Sequence, residues 1–139
     1  YAAKFASNFY GPFRDAVGSS KAVGKADKKT YQMDFRNSNE ALREVGMDID
    51  EGADMIMIKP ALPYLDIISE VKNNFNIPIF AYQVSGEFSM LKLAEKEKII
   101  NYEKCLYESL ISIKRAGACG IFCYGALDIA KYIKKWTNH

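Results

Sequence analysis

The amino-acid sequence predicts an α/β fold built on a parallel sheet, and three observations carry that expectation. Short β-type runs stand at residues 55–59, 77–84 and 120–124, rich in Met, Ile, Val, Phe and Tyr. Each is followed by sequence of helical period. The runs are apolar at successive positions, as in strands covered by helices in a parallel sheet. Counting the opening residues as a strand end gives four βα units, half of a TIM (β/α)8 barrel, whose usual size is about 250 residues. A doubly wound open sheet is the competing architecture, but no GxGxxG phosphate turn follows any strand.

The elements follow in order. The opening Tyr1-Ala2-Ala3-Lys4-Phe5 has no initiator Met and reads as the middle of an element, so a piece of a longer protein is expected. Residues 13–30, rich in Gly, Ser and Lys, are too long for a simple connection. Asn37 can cap a helix with Glu40 three residues on, and Leu42, Val45 and Ile49 form its apolar stripe until Gly52 ends it. After the run at 55–59, Tyr64, Ile68, Val71 and Phe75 fall on one helical face. A further helix follows Gly86. The next, over residues 102–116, buries Leu106, Leu110 and Ile113 before Gly117, and the last, over 126–136, aligns Ile129, Ile133 and Trp136.

At 139 residues, 49% hydrophobic and 13% aromatic, the chain has the material for a core of its own. Nineteen basic against seventeen acidic side chains leave a net charge of only +2, which disfavours a nucleic-acid or polybasic membrane surface and points to a small-molecule partner. No apolar run approaches the roughly 18 residues that cross a bilayer. Cys105, Cys119 and Cys123 are odd in number and form no CxxC pair, so reduced core thiols are expected. The single histidine, His139, is the last residue, which leaves a Ser/His or Cys/His relay and a histidine-ligated metal without an obvious donor.

Candidate chemistry gathers at strand ends, where a parallel barrel carries its active site. Lys59 ends a run of Met and Ile, with Met55 and Met57 expected on its side. Desolvation there lowers an amine's pKa, which favours attack on a carbonyl near neutral pH. A lysine reaching solvent is the alternative. Lys4, between Ala3 and Phe5, has a similar setting, and two amines in one mouth raise the cost of charging each other. Phe9-Tyr10-Gly11-Pro12-Phe13-Arg14-Asp15 is an aromatic turn that delivers an arginine, whose planar fork suits a carboxylate. Arg14 with Lys21, Lys25, Lys28 and Lys29 could form a basic lid over an anionic substrate, or a solvated loop. Tyr82, Gln83, Ser85 and Tyr124 lie at the other strand ends and could orient a carboxylate, although Ser85 could equally cap the helix that starts at Gly86-Glu87.

The strings Ala-Lys-Phe-Ala-Ser, Phe-Tyr-Gly-Pro-Phe-Arg-Asp, Tyr-Gln-Met-Asp, Glu-Gly-Ala-Asp-Met-Ile-Met-Ile-Lys-Pro-Ala-Leu-Pro-Tyr-Leu-Asp, Ala-Tyr-Gln-Val-Ser-Gly-Glu and Arg-Ala-Gly-Ala resemble, in order and spacing, the porphobilinogen synthase (5-aminolevulinate dehydratase) family. The likeness covers nearly the whole chain. It implies that residues 1–139 are the carboxyl-terminal, roughly second half of a single (β/α)8 barrel catalytic domain. It also implies a lyase (hydro-lyase) of tetrapyrrole and heme biosynthesis, condensing two 5-aminolevulinate molecules to porphobilinogen with loss of two waters. By matching position, Lys59 and Lys4 are then the two Schiff-base lysines. Arg14 and Lys28, with Gln32 beside them, grip the carboxylate of the second substrate, and Ser85 and Tyr124 that of the first.

The resemblance further implies an allosteric magnesium ordered by Glu44, a homo-oligomer, commonly an octamer, and no organic cofactor. The region that decides between zinc and another catalytic metal lies upstream of residue 1. Cytoplasm or a plastid stroma, an apicoplast included, is the expected compartment. The final strand departs from the family pattern, with Cys123-Tyr124-Gly125 where Thr-Tyr-aromatic is commoner. Two other readings stand beside this one. A class I aldolase would need one lysine and leave Lys4 and the aromatic turn without a task. A non-catalytic binding or assembly fragment would leave strand edges unpaired.

Overall fold

The computed structural model describes residues 1–11 and 32–137. In chain order these form β1 (Ala3–Lys4), a 3-10 turn (Asn8–Tyr10), α1 (Ser38–Asp50), β2 (Ile56–Lys59), a second 3-10 turn (Leu62–Tyr64), α2 (Leu65–Asn74), β3 (Ile79–Tyr82), α3 (Ser85–Lys96), α4 (Tyr102–Ala116), β4 (Gly120–Phe122) and α5 (Ala126–Thr137). The four strands are parallel in the sequential order β1-β2-β3-β4.

Sequence chemistry accounts for most of the boundaries. The Asn37 side chain accepts the Glu40 N–H to start α1, and Asn101 accepts the Lys104 N–H to start α4. Gly117, at φ +131°, closes α4 in a backbone conformation that side chains rarely adopt. Ala41 and Val45 of α1, Ile67, Ile68 and Val71 of α2, and Ile113 of α4 bury against Ile56, Ile58, Ile79 and Ala81 of the sheet. The helices therefore cover the face that holds the even residues of β2 and the odd residues of β3. Met57, Lys59, Phe80 and Tyr82 stand on the opposite face and are half-buried.

Sequential strand order with the packed core on one face is the winding of a (β/α)8 barrel, and the expected architecture holds. The strands are not covered equally on both faces, however: the second face is the concave one. Three further expectations change. Met55 lies before β2 and is exposed, so the layer beneath Lys59 is Met57 with aromatic rings. The stripe of α5 is rotated, with Tyr132 buried against Tyr107 at 5.7 Å between ring centroids while Ile133 is exposed. All three cysteines are free, as expected, but none is core: Cys105 and Cys123 are half-buried, and Cys119 is exposed beside β4, the edge of the described sheet. The 13–30 segment, His139 and the side chain of Trp136 lie outside the described residues.

Candidate active site

The parallel register pairs Lys4 with Lys59 on neighbouring strands. Directly paired residues of adjacent strands project to one face, so both amines leave the sheet on its concave side at the carboxyl ends of β1 and β2. Lys59 Nζ lies 4.0 Å from the Tyr82 ring centroid, 5.3 Å from that of Tyr1 and 5.5 Å from that of Tyr10, and Lys4 Nζ lies 5.9 Å from the Tyr1 ring. The rings take part of the amine's surface away from water. Burial, and then the Lys4 ammonium, hold Lys59 below the usual lysine range. The expected pairing of desolvation with like-charge repulsion is present.

Backbone chemistry fixes the end of β2 from two sides. The Tyr10 hydroxyl donates to the Lys59 carbonyl at 3.3 Å, and Phe5 N–H donates to the same carbonyl at 3.0 Å. Tyr10 is thus part of the site, although the sequence marks it only as an aromatic beside a Gly-Pro turn. Gly86 allows its close approach: a Cβ there would stand 2.3 Å from the Phe9 carbonyl oxygen. Gln32 is buried beside β1, where Met33 N–H donates to the Lys4 carbonyl at 3.0 Å, and its Oε1 has no partner among the described residues. A cleft of about 310 Å³ is lined by Ala6, Gln32, Asp34, Phe35 and Arg36.

Ser85 is not the cap of α3. That place is held by Val84, whose N–H donates at 2.6 Å to the Glu87 carboxylate, and the buried Ser85 Oγ is left without a partner among the described residues. The capping alternative for Ser85 is thereby removed. Phe88, one turn on, packs against Tyr124 at 5.8 Å, and Tyr124 meets Tyr82 edge-on at 6.4 Å. Burial, and then a hydrogen bond with Tyr82, push the Tyr124 hydroxyl upward in pKa. The turn that carries Tyr124 is latched by the Tyr102 hydroxyl donating to Asp128 at 2.8 Å, with Lys92 Nζ 3.3 Å from the Tyr102 ring centroid. A Cβ on Gly125 would stand 2.6 Å from Leu106 and 2.9 Å from the Tyr102 hydroxyl, which explains the glycine at this position.

The concave face thus brings together Lys4, Lys59, Tyr82 and Tyr124, with Gln32 at one flank and Ser85 at the other. Arg14 and Lys28 lie outside the described residues. Glu44 is on α1, half-exposed and 3.5 Å from Arg43. Among the described residues no three His, Cys, Asp or Glu side chains converge as a metal cluster, and no helix is long and apolar enough to cross a membrane. Glu87 is the residue the sequence did not single out, and its only local signal is a carboxylate three residues after a helix cap.

A family model described as Delta-aminolevulinic acid dehydratase matches residues 1–132. A protein of that name from Rhodobacter capsulatus is 57% identical over 133 residues, covering 96% of this chain and 40% of the relative. One from Bradyrhizobium diazoefficiens is 53% identical, covering 96% and 38%. Among solved structures, a Toxoplasma gondii delta-aminolevulinic acid dehydratase (porphobilinogen synthase), in complex with the reaction product porphobilinogen, superposes with a TM-score of 0.90 at 50% identity, covering 95% of this chain and 37% of that one. The chain spans about 40% of the length of the curated relatives it matches.

Proposed function

The chain belongs to the delta-aminolevulinic acid dehydratase family, and from that premise we propose that it supplies the imine-forming lysines of a porphobilinogen synthase. The reaction joins two 5-aminolevulinate molecules into porphobilinogen with loss of two waters. The observation that carries this reading is the register pair Lys4 and Lys59, two amines on one concave face, one of them held toward its neutral form.

Neutral Lys59 attacks the ketone carbon of one 5-aminolevulinate, and the carbinolamine loses its oxygen as water to leave an imine. Lys4 holds the second ketone in the same way. Each substrate then needs its own carboxylate grip. The unpartnered Ser85 hydroxyl and the Tyr124 phenol supply donors for the first, and Arg14, Lys28 and Gln32 are assigned to the second by their matching positions. Anchoring both ends of each substrate converts the carbon–carbon and carbon–nitrogen bond formations into reactions of held neighbours. An aldolase would use one amine and leave the other unexplained.

The magnesium assignment of Glu44 stands on less. A hard cation needs about six oxygen ligands, and among the described residues no three carboxylates converge there, so most of the ligands of such an ion would be water. No step above depends on it. Replacing Glu44 with Ala in the complete protein should lower the stimulation of activity by magnesium, and unchanged stimulation removes the assignment. Assembly into a homo-octamer belongs to the same reading of the complete protein. The decisive test is incubation of that protein with 5-aminolevulinate, borohydride reduction and mapping of adducts by mass spectrometry. Adducts on Lys59 and Lys4 are expected, and adducts on neither overturn the proposal.

A further inference from the structure

Glu87 is a carboxylate with only 3% of its surface exposed, on the first turn of α3. Its Oε2 accepts the N–H of Val84 at 2.6 Å and of Ala61 at 3.4 Å, and its Oε1 accepts the N–H of Leu62 at 2.7 Å. Capping α3 requires only the first of these. The other two reach 25 and 26 residues back along the chain, to the loop that leaves Lys59 through Pro60. That loop opens the second 3-10 turn, which has no side-chain cap of its own. One buried side chain thus serves two strand-end loops at once. Each adjoins a residue of the site, Lys59 two positions before Ala61 and Ser85 one position after Val84.

We propose that Glu87 is a positioning residue that fixes the spacing between the Lys59 amine and the Ser85 hydroxyl by tying together the loops that follow β2 and β3. The proposal rests on the reading of Lys59 as imine-former and Ser85 as carboxylate grip. Its physical content is a division of labour. Glu87 satisfies the start of α3, so Ser85 is released from capping and its hydroxyl remains for substrate. Because the same carboxylate holds Ala61 and Leu62, a substrate held at Ser85 meets the amine at one set distance. Tyr10 braces the Lys59 carbonyl from the other side.

The test uses the complete enzyme. In Glu87→Gln one oxygen becomes an NH2 that faces backbone N–H groups, so both loops can no longer be held. The expected result is a loss of about 10- to 100-fold in kcat/KM for 5-aminolevulinate, of the size that misplacement by about 1 Å produces. Slower borohydride-trappable adduct formation at Lys59 should accompany it, with assembly and far-UV circular dichroism unchanged. If Glu87 acts through Ser85, adding Glu87→Gln to Ser85→Ala should cost no more than about threefold further, because residues that act as one unit are not additive. A structural role alone predicts full additivity. Should Glu87→Gln not accumulate as folded protein, Glu87→Asp decides: it keeps the charge, is one methylene too short to reach both loops, and should show the same loss. Kinetics within twofold of wild type, or additive effects, overturn the positioning role. Wild-type enzyme without adducts on either lysine overturns the underlying site reading instead.

Discussion

At Lys59 three influences meet on one amine. Burial disfavours the ammonium, the Lys4 charge disfavours it further, and the rings of Tyr82, Tyr1 and Tyr10 favour it through their faces. Such ring contacts contribute about 0.5–2 kcal/mol, set against burial and the Lys4 charge, which both pull the amine below the usual lysine range. Replacing Lys4 with Met removes the smaller of the two lowering causes. The pH midpoint for acylation of Lys59, read by peptide mass spectrometry, should therefore move up, yet stay below that of an exposed lysine. A midpoint that does not move would mean that the two amines do not interact.

Stability follows from the same sign. Lys59 has a folded pKa below its unfolded value, so the unfolded chain binds the proton more readily, and stability is lost as pH falls from the unfolded pKa to the folded one. Lys59→Met in the complete protein should consequently raise the melting temperature at neutral pH, and the difference should shrink above about pH 10.4. The amine is only partly buried, so solvent screening limits the gain to roughly 2 °C. A lower melting temperature at pH 7 would contradict this. Lys59 was legible in the sequence because a charge at the end of an apolar strand is conspicuous. Glu87 was not, because two of its three partners are backbone amides 25 and 26 residues away that only the fold brings within reach.

At the scale of elements, each strand end is set by what packs behind it. The clearest case is α3 against the Asn8–Tyr10 turn, where Gly86 leaves room for the Phe9 carbonyl. Gly86→Ala should force the two apart at a cost of about 1–3 kcal/mol, read as a lower denaturant midpoint. It should also lower activity, because Tyr10 rides on the displaced turn. An unchanged midpoint would show that the close approach is not required. Helix limits with chemical punctuation, such as Asn37 before α1 and Gly117 after α4, were readable from sequence. The face of α5 was not: period alone favoured Ile129 with Ile133, whereas Tyr132 gains a ring contact with Tyr107 that only tertiary packing supplies.

At the scale of the whole molecule, the absent phosphate turn argued against a doubly wound sheet, but sequential strand order is a property of pairing that local sequence does not encode. The same order has a physical consequence. Among the described residues β4 has a neighbour on one side only, and the concave face beside it exposes Phe122 at 50% and Tyr124 at 46%, with Leu127 at 77% on α5. An unpaired parallel edge next to apolar surface is a template for another chain. The relatives are about two and a half times as long as the chain, so their additional sequence is available to cover such an edge. Residues 1–139 expressed alone should therefore self-associate with rising concentration, by light scattering behind a sizing column, and bind an apolar dye. A monodisperse monomer with a cooperative thermal transition would mean that this edge is covered from within the chain itself.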